Sequence, residues 1–251
     1  MRPPHAALVA AVETATKEHQ PYLEISACEP VTIVEGIFVL SGPEGPFDQF
    51  EVRIEVGPKY PSSEPRVFET AGRIPRTIER HVYDDGSCCL VVWEQWLAVA
   101  KDTSFSSFLE GPLKQFLLSQ VIFEQTKKWR FGERPHGTAG MIEAYAEILG
   151  VKPKKTEILS RLELLAHPWP KGHWLCPCGS GRIIRKCHRE ELWSLHQRIP
   201  PGLAKQMLRK LGVAFEIDAK NGILRRRLAK AKKRNLNSVV DAALPLRNGQ
   251  G

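Results

Sequence analysis

Polar and apolar residues alternate strictly where Phe50, Val52, Ile54 and Val56 are separated by Glu51, Arg53 and Glu55. A period of two places the apolar set on one face of a half-buried strand. Three other segments carry strand signals: Tyr22 to Ala27, Val31 to Leu40 with its β-branched residues, and Arg66 to Glu69. A Gly/Pro cluster over 41–46 turns the second into the third, and a loop over 60–65 with two prolines leads to the fourth. Before them, Leu8, Val9, Val12 and Ala15 make one apolar face of a helix over residues 4–19, with Pro3 and Pro4 at its start. The pattern predicts a helix followed by a four-stranded antiparallel meander.

Residues 70–103 show weak periodicity and read as irregular, which in a compact domain points to function. A long helix is then predicted over 112–129, with Pro112 at its first position and Leu113, Phe116, Leu117, Val121 and Trp129 facing the core. A second covers 138–149 and is capped by Gly150. After a lysine-rich joint over 151–155 comes a short helix over 156–166. Further helical patterns lie near 189–197, 202–211 and 222–234, the last with Leu224, Leu228 and Ala231 as its buried face. The joint divides the chain into residues 1–150 and 151–251.

The chain of 251 residues is 42% hydrophobic and 25% charged, which excludes a disordered or collagen-like protein. Its apolar runs are too short for a membrane span. Residues 1–19 hold no signal-peptide core, so the expected location is the cytoplasm, without a membrane partner. The net charge of +8 sits in the tail: residues 201–251 hold 12 Lys/Arg against 3 Asp/Glu, while residues 1–200 hold 24 against 25. The dense run is Arg225, Arg226, Arg227, Lys230, Lys232, Lys233 and Arg234. It fits a solvated helix face, a nucleic acid, or an acidic protein partner.

Three of the six cysteines cluster with a histidine. Cys176 and Cys178 stand one residue apart, and Cys187 and His188 follow after eight more, with Gly179 and Gly181 allowing the chain to turn around one ion. Three thiolates and an imidazole form a closed tetrahedral set, which makes a structural zinc the expected cofactor. The segment resembles the SEC-C zinc motif.

The other chemical feature is Cys89, which follows Asp84, Asp85, Gly86, Ser87 and Cys88 and precedes Leu90, with His81 eight residues earlier. A cysteine after a turn is a candidate nucleophile, and a buried structural cysteine is the competing reading. The element order, with Tyr60, Pro61 and Pro65, then His81, Gly86, Cys89, Leu90 and Trp96, resembles the ubiquitin-conjugating enzymes over roughly residues 1–130. Two departures stand out. Glu64 replaces the first proline of the family's Pro-Pro pair, and His81, Val82 and Tyr83 stand where the family has His-Pro-Asn. With these departures the chain resembles a divergent bacterial branch of that family, and Gly132 to Gly137 with the following helix looks typical of it.

The resemblance implies an α+β protein with a ubiquitin-conjugating-enzyme-like fold (N-terminal helix, meander, C-terminal helices) plus a small helical zinc module. It also implies that Cys89 takes a ubiquitin-like protein as a thioester from an activating enzyme and passes it to a target lysine, in the setting of bacterial antiphage defence. Proximity carries such a reaction more than base activation. Tyr83, Asp84, Asp85 and Asp102 are candidates to assist, and Asp84 and Asp85 also fit plain turn residues. His81 fits a loop-holding role, and Cys88 a core position. Trp93 and Trp96 read as packing. Competing functions are a non-catalytic binder of a ubiquitin-like protein, a nucleic-acid module built on zinc site and tail, and a thiol hydrolase pairing Cys89 with His136.

Overall fold

The computed structural model describes residues 4–27, 29–129, 135–213, 215–217 and 224–226. The chain is α+β. Helix α1 (Pro4–His19) precedes strands β1 (Leu23–Ala27), β2 (Thr32–Gly42), β3 (Gly45–Val56) and β4 (Arg66–Glu69), which form one antiparallel sheet in sequence order. The period-two signal is realised in β3: Phe50, Val52, Ile54 and Val56 are buried, and Val34, Phe38 and Leu40 of β2 lie inward beside them. The β2–β3 hairpin closes with Gly42 opposite Gly45.

The segment 70–103 is less irregular than its sequence implies. It holds a 3₁₀ turn at Ile78–Arg80 and helix α2 (Trp93–Val99). Trp93 is 1% exposed, and its indole N–H donates to the Pro61 carbonyl at 2.9 Å. Around it stand the rings of Tyr60, Trp96 and Phe108, with centroids 4.5 to 6.1 Å away. A seven-residue helix is too short to stand alone, so this packing holds it.

The long helix starts earlier than the sequence predicts. α3 (Phe105–Phe108) runs through a π turn (Leu109–Leu113) into α4 (Lys114–Thr126), so Pro112 lies inside the helix and not at its first position. The wider turn accommodates a residue that cannot donate an amide hydrogen. Ser104 supplies the true start, its hydroxyl accepting from the Ser107 amide at 3.2 Å. Lys127, at φ +57°, ends the helix before Trp129.

Helices α5 (Thr138–Leu149), α6 (Lys155–Leu165), α7 (Arg189–Arg198) and α8 (Pro201–Lys210) follow. Two cores result. The first joins α1, the sheet and the α3–α4 helix; the second joins α5 to α6, α7 and α8 and takes in Ala98 of α2 and Cys176. Apolar packing thus runs across the joint at 151–155. A helix over 222–234 is corrected where it is described. Leu224–Arg226 forms strand β6, paired antiparallel with β5 (Phe215–Ile217), and the rest of that segment lies outside the described residues. An isolated helix of that length is marginal in water, and strand pairing satisfies the same backbone groups.

Trp93→Ala is expected to cost about 3–5 kcal/mol of folding free energy, because it empties a space in the first core and orphans the Pro61 carbonyl. Urea titration of both chains checks this, and a loss below about 1 kcal/mol would contradict the packing described.

Candidate active site and metal centre

The loop carrying Cys89 is a small hairpin laid against the edge of the meander. Asp84, Asp85 and Gly86 make its turn, with Gly86 at φ +82°. The Tyr83 amide donates to Ser87 at 2.9 Å, and the Cys88 amide donates to Val67 of β4 at 2.7 Å. The Cys89 amide donates to the His81 carbonyl at 2.8 Å, so Cys89 is held by backbone on the side away from the sheet. His81 is itself fixed in the left-handed region at φ +54°. Next to it, Arg80 and Gln120 of α4 exchange hydrogen bonds, Nε to Oε1 at 2.8 Å and Nε2 to the Arg80 carbonyl at 2.9 Å.

The two adjacent cysteines separate as extended backbone requires. Cys88 packs into the first core at 7% exposure, and burial pushes its thiol up to about 12. Cys89 is half-buried beside a cavity of about 410 Å³. Burial raises its thiol as well, opposed by a hydrogen bond from Tyr83 and by the charge of Lys210, and reinforced by Glu64. The Tyr83 phenol lies well above its usual range, chiefly through burial. Cys89 is therefore a thiol at neutral pH, suited to exchange by proximity more than to attack as a standing thiolate.

His81 and Tyr83 line the same cavity as Cys89, together with His136. The His81 ring lies 4.8 Å, centroid to centroid, from both Trp129 and His136. Asp84 is exposed at the hairpin turn. Asp85 serves that turn: it accepts from the Ser87 amide at 2.9 Å and hydroxyl at 2.6 Å, and pairs with Arg66 at 2.8 Å. Those contacts hold its carboxyl below the usual range. Asp102 accepts from Ser104 and Ser107 at the start of α3 and is not among the cavity residues. Trp93 lines the cavity and also packs beneath it.

Sequence reasoning missed a buried charge cluster on the cavity wall. Glu94 of α2 has no exposed surface. It accepts from the Tyr145 hydroxyl of α5 at 3.0 Å and from Gln206 Nε2 of α8 at 2.8 Å, and its Oε1 lies 3.1 Å from Lys210 Nζ. Lys210 also reaches Glu64 at 3.9 Å. Glu64 was visible as the residue in place of a proline, but Gln206 lies 112 positions from Glu94, and no local pattern links them.

At the other end of the second core, Cys176, Cys178, Cys187 and His188 bring one ligand atom each within 4.8 Å of one another. Gly179 and Gly181, at φ +78° and +73°, bend the chain between the Cys176–Cys178 pair and the Cys187–His188 pair. Cys187 Sγ lies 3.2 Å from His188 Nδ1 and 3.6 Å from Cys178 Sγ, near the ligand–ligand edge of roughly 3.6–3.8 Å that a tetrahedral thiolate–imidazole site implies. His188 turns Nδ1 to the sulfurs and Nε2 toward Glu191 at 3.9 Å, and Glu191 is paired with the buried Arg161 of α6. A carboxylate behind a ligating imidazole fixes its tautomer. The Ser180 hydroxyl, 3.1 Å away, holds the Cys178 thiol down to about 6. The four residues lie close enough together to hold a metal ion.

Among the described residues, no helix is long and apolar enough to cross a membrane. The basic run from Arg227 onward lies outside the described residues. The fold and site define an α+β protein with a cavity-lining thiol and a Cys₃His cluster. Comparison with protein-family models, curated proteins and solved structures gives no significant match.

The purified chain is expected to carry one divalent metal ion, and Cys178→Ser or His188→Ala to lose it. Elemental analysis reads the stoichiometry. Protons compete for the thiolates, so occupancy should fall as pH falls. Full retention in Cys178→Ser would remove the cluster as a site.

Proposed function

We propose that the chain is a conjugating enzyme for a ubiquitin-like protein, with Cys89 as the acceptor thiol and a structural zinc at Cys176, Cys178, Cys187 and His188. The observation that carries this reading is the placement of Cys89. It is the half-buried member of an adjacent cysteine pair, beside a cavity, on a hairpin braced by the meander edge and by the residue next to α4. The element order ahead of it, helix then four-stranded meander, supports the same reading.

The chemistry is an acyl transfer in two steps. Cys89 Sγ attacks the carbonyl of the thioester joining the modifier to the activating enzyme, a new C–S bond forms, and the departing thiolate takes up the proton that Cys89 releases. A lysine amine of the target then displaces Cys89. The raised thiol of Cys89 suits the first step, because it makes Cys89 the poorer leaving group once the new thioester has formed. A second reading, thiol hydrolase, has one observation in its favour: His136 lines the same cavity. A non-catalytic binder of the modifier would leave Cys89 uncharged. The basic tail is the part of the chain suited to an acidic partner or a nucleic acid.

The test uses a bacterial ubiquitin-like protein, its activating enzyme and ATP. The wild-type chain should acquire an adduct cleaved by thiol reductants. Cys88→Ser should do the same, and Cys89→Ser should hold a reductant-resistant ester. A labile adduct on Cys89→Ser would reject the assignment, and release of free modifier without transfer to amines would favour the hydrolase.

A further inference from the structure

The cavity beside Cys89 contains a carboxylate with few partners and a cation from the far end of the chain. Glu64 lies on the loop before β4 and Lys210 on the last turn of α8, and both line the cavity with Cys89. Glu94 is bonded to Tyr145, Gln206 and Lys210, whereas Glu64 has, among the described residues, a single ion pair, to Lys210 at 3.9 Å. We propose that Glu64 accepts the proton of the amine that attacks the Cys89 thioester, and that Lys210 is its positioning residue. The C-terminal helices thereby complete a site that begins on the meander. This inference rests on the acyl-transfer reading of Cys89.

The step balances on the residues present. The amine nitrogen adds to the thioester carbonyl, and its ammonium proton passes to the Glu64 carboxylate. The C–S bond then breaks with its electron pair on Cys89 Sγ. Glu64 returns the proton to that sulfur, whose raised thiol draws it back. The products are an amide and the Cys89 thiol, and no co-reactant is consumed.

Electrostatics place Glu64 near its working range. Burial lifts its carboxyl to about 7, with Lys210 opposing and Glu94 reinforcing. A proton acceptor is most effective when it titrates near the operating pH. The other ionisable groups around the cavity are Tyr83, Cys88, His81 and His136, with Arg66 at its rim. Tyr83 and Cys88 titrate far above neutrality, and Arg66 is paired with Asp85 and Glu55. The two imidazoles, which also line the cavity, are replaced in the test.

The experiment needs no identified modifier. The full chain is acetylated with the thioacetate of N-acetylcysteamine, and intact mass with peptide mapping locates the adduct, using Cys89→Ala as the blank. Discharge to butylamine is then followed from pH 5.5 to 9. The wild-type rate should rise through about 7 above the slope set by the free amine. Glu64→Gln should still take the acetyl group on Cys89 yet discharge on the order of 100-fold more slowly at pH 8, without that inflection. Lys210→Gln should move the inflection to higher pH, since removing the cation disfavours the carboxylate, and Lys210→Arg should restore it. His81→Gln and His136→Gln should keep the inflection. A wild-type profile in Glu64→Gln, or loss of the inflection in either histidine variant, overturns the proposal while leaving Cys89 as acceptor. Failure of Cys89 to take the acetyl group in the wild-type chain overturns the acyl-transfer reading itself, and this proposal with it.

Discussion

Glu94 is a carboxylate with no contact with water, and the joining of α2, α5 and α8 depends on it. A charge taken out of water costs several kcal/mol unless it is paired and hydrogen-bonded. Its partners come from two helices, Lys210 and Gln206 on α8 and Tyr145 on α5, while Glu94 itself sits on the short α2. Removing any one leaves a buried polar group exposed to a low-dielectric interior. The arrangement therefore locks the C-terminal helices onto the wall of the Cys89 cavity. It also explains why the second core runs across the lysine-rich joint instead of stopping there.

The metal cluster stands at the other end of the same core. Cys176 is buried within it, and His188 connects through Glu191 to the buried Arg161 of α6. An ion held there would brace α6 and α7, which pack with α8. Lys210 would then reach the cavity from a scaffold set by metal ligation and apolar packing together. On the N-terminal side, Cys89 is fixed by backbone bonds to His81 and, through Cys88, to Val67. One wall of the cavity is thus set by the meander and the other by the helices.

Much of the fold was legible because its signals are local. Strict alternation in Phe50 to Val56 marks β3, and the cysteine spacing marks the metal cluster without any structure. Helix α2 was not legible: its seven residues carry too little period, and Trp93 is held by rings from distant segments. Pro112 misplaced a helix start because a π turn absorbs a residue that normally begins a helix. At the candidate site, Cys89, His81 and Tyr83 were found by local order. Glu94, Lys210 and Gln206 were not, because ion pairs and hydrogen bonds over more than a hundred positions leave no trace in residue spacing.

The central claim is that the C-terminal helices and the Cys89 wall form one cooperative unit through Glu94 and Lys210. Hydrogen exchange on the full chain and on Lys210→Gln tests it most directly. With Lys210 gone, Glu94 loses its only cation among the described residues. Amides of α2 and α5 should then exchange at least about tenfold faster, since Glu94 stays buried without its cation. Amides of β2 and β3, in the first core, should keep their protection. Equal protection of α2 and α5 in the two proteins would contradict the account.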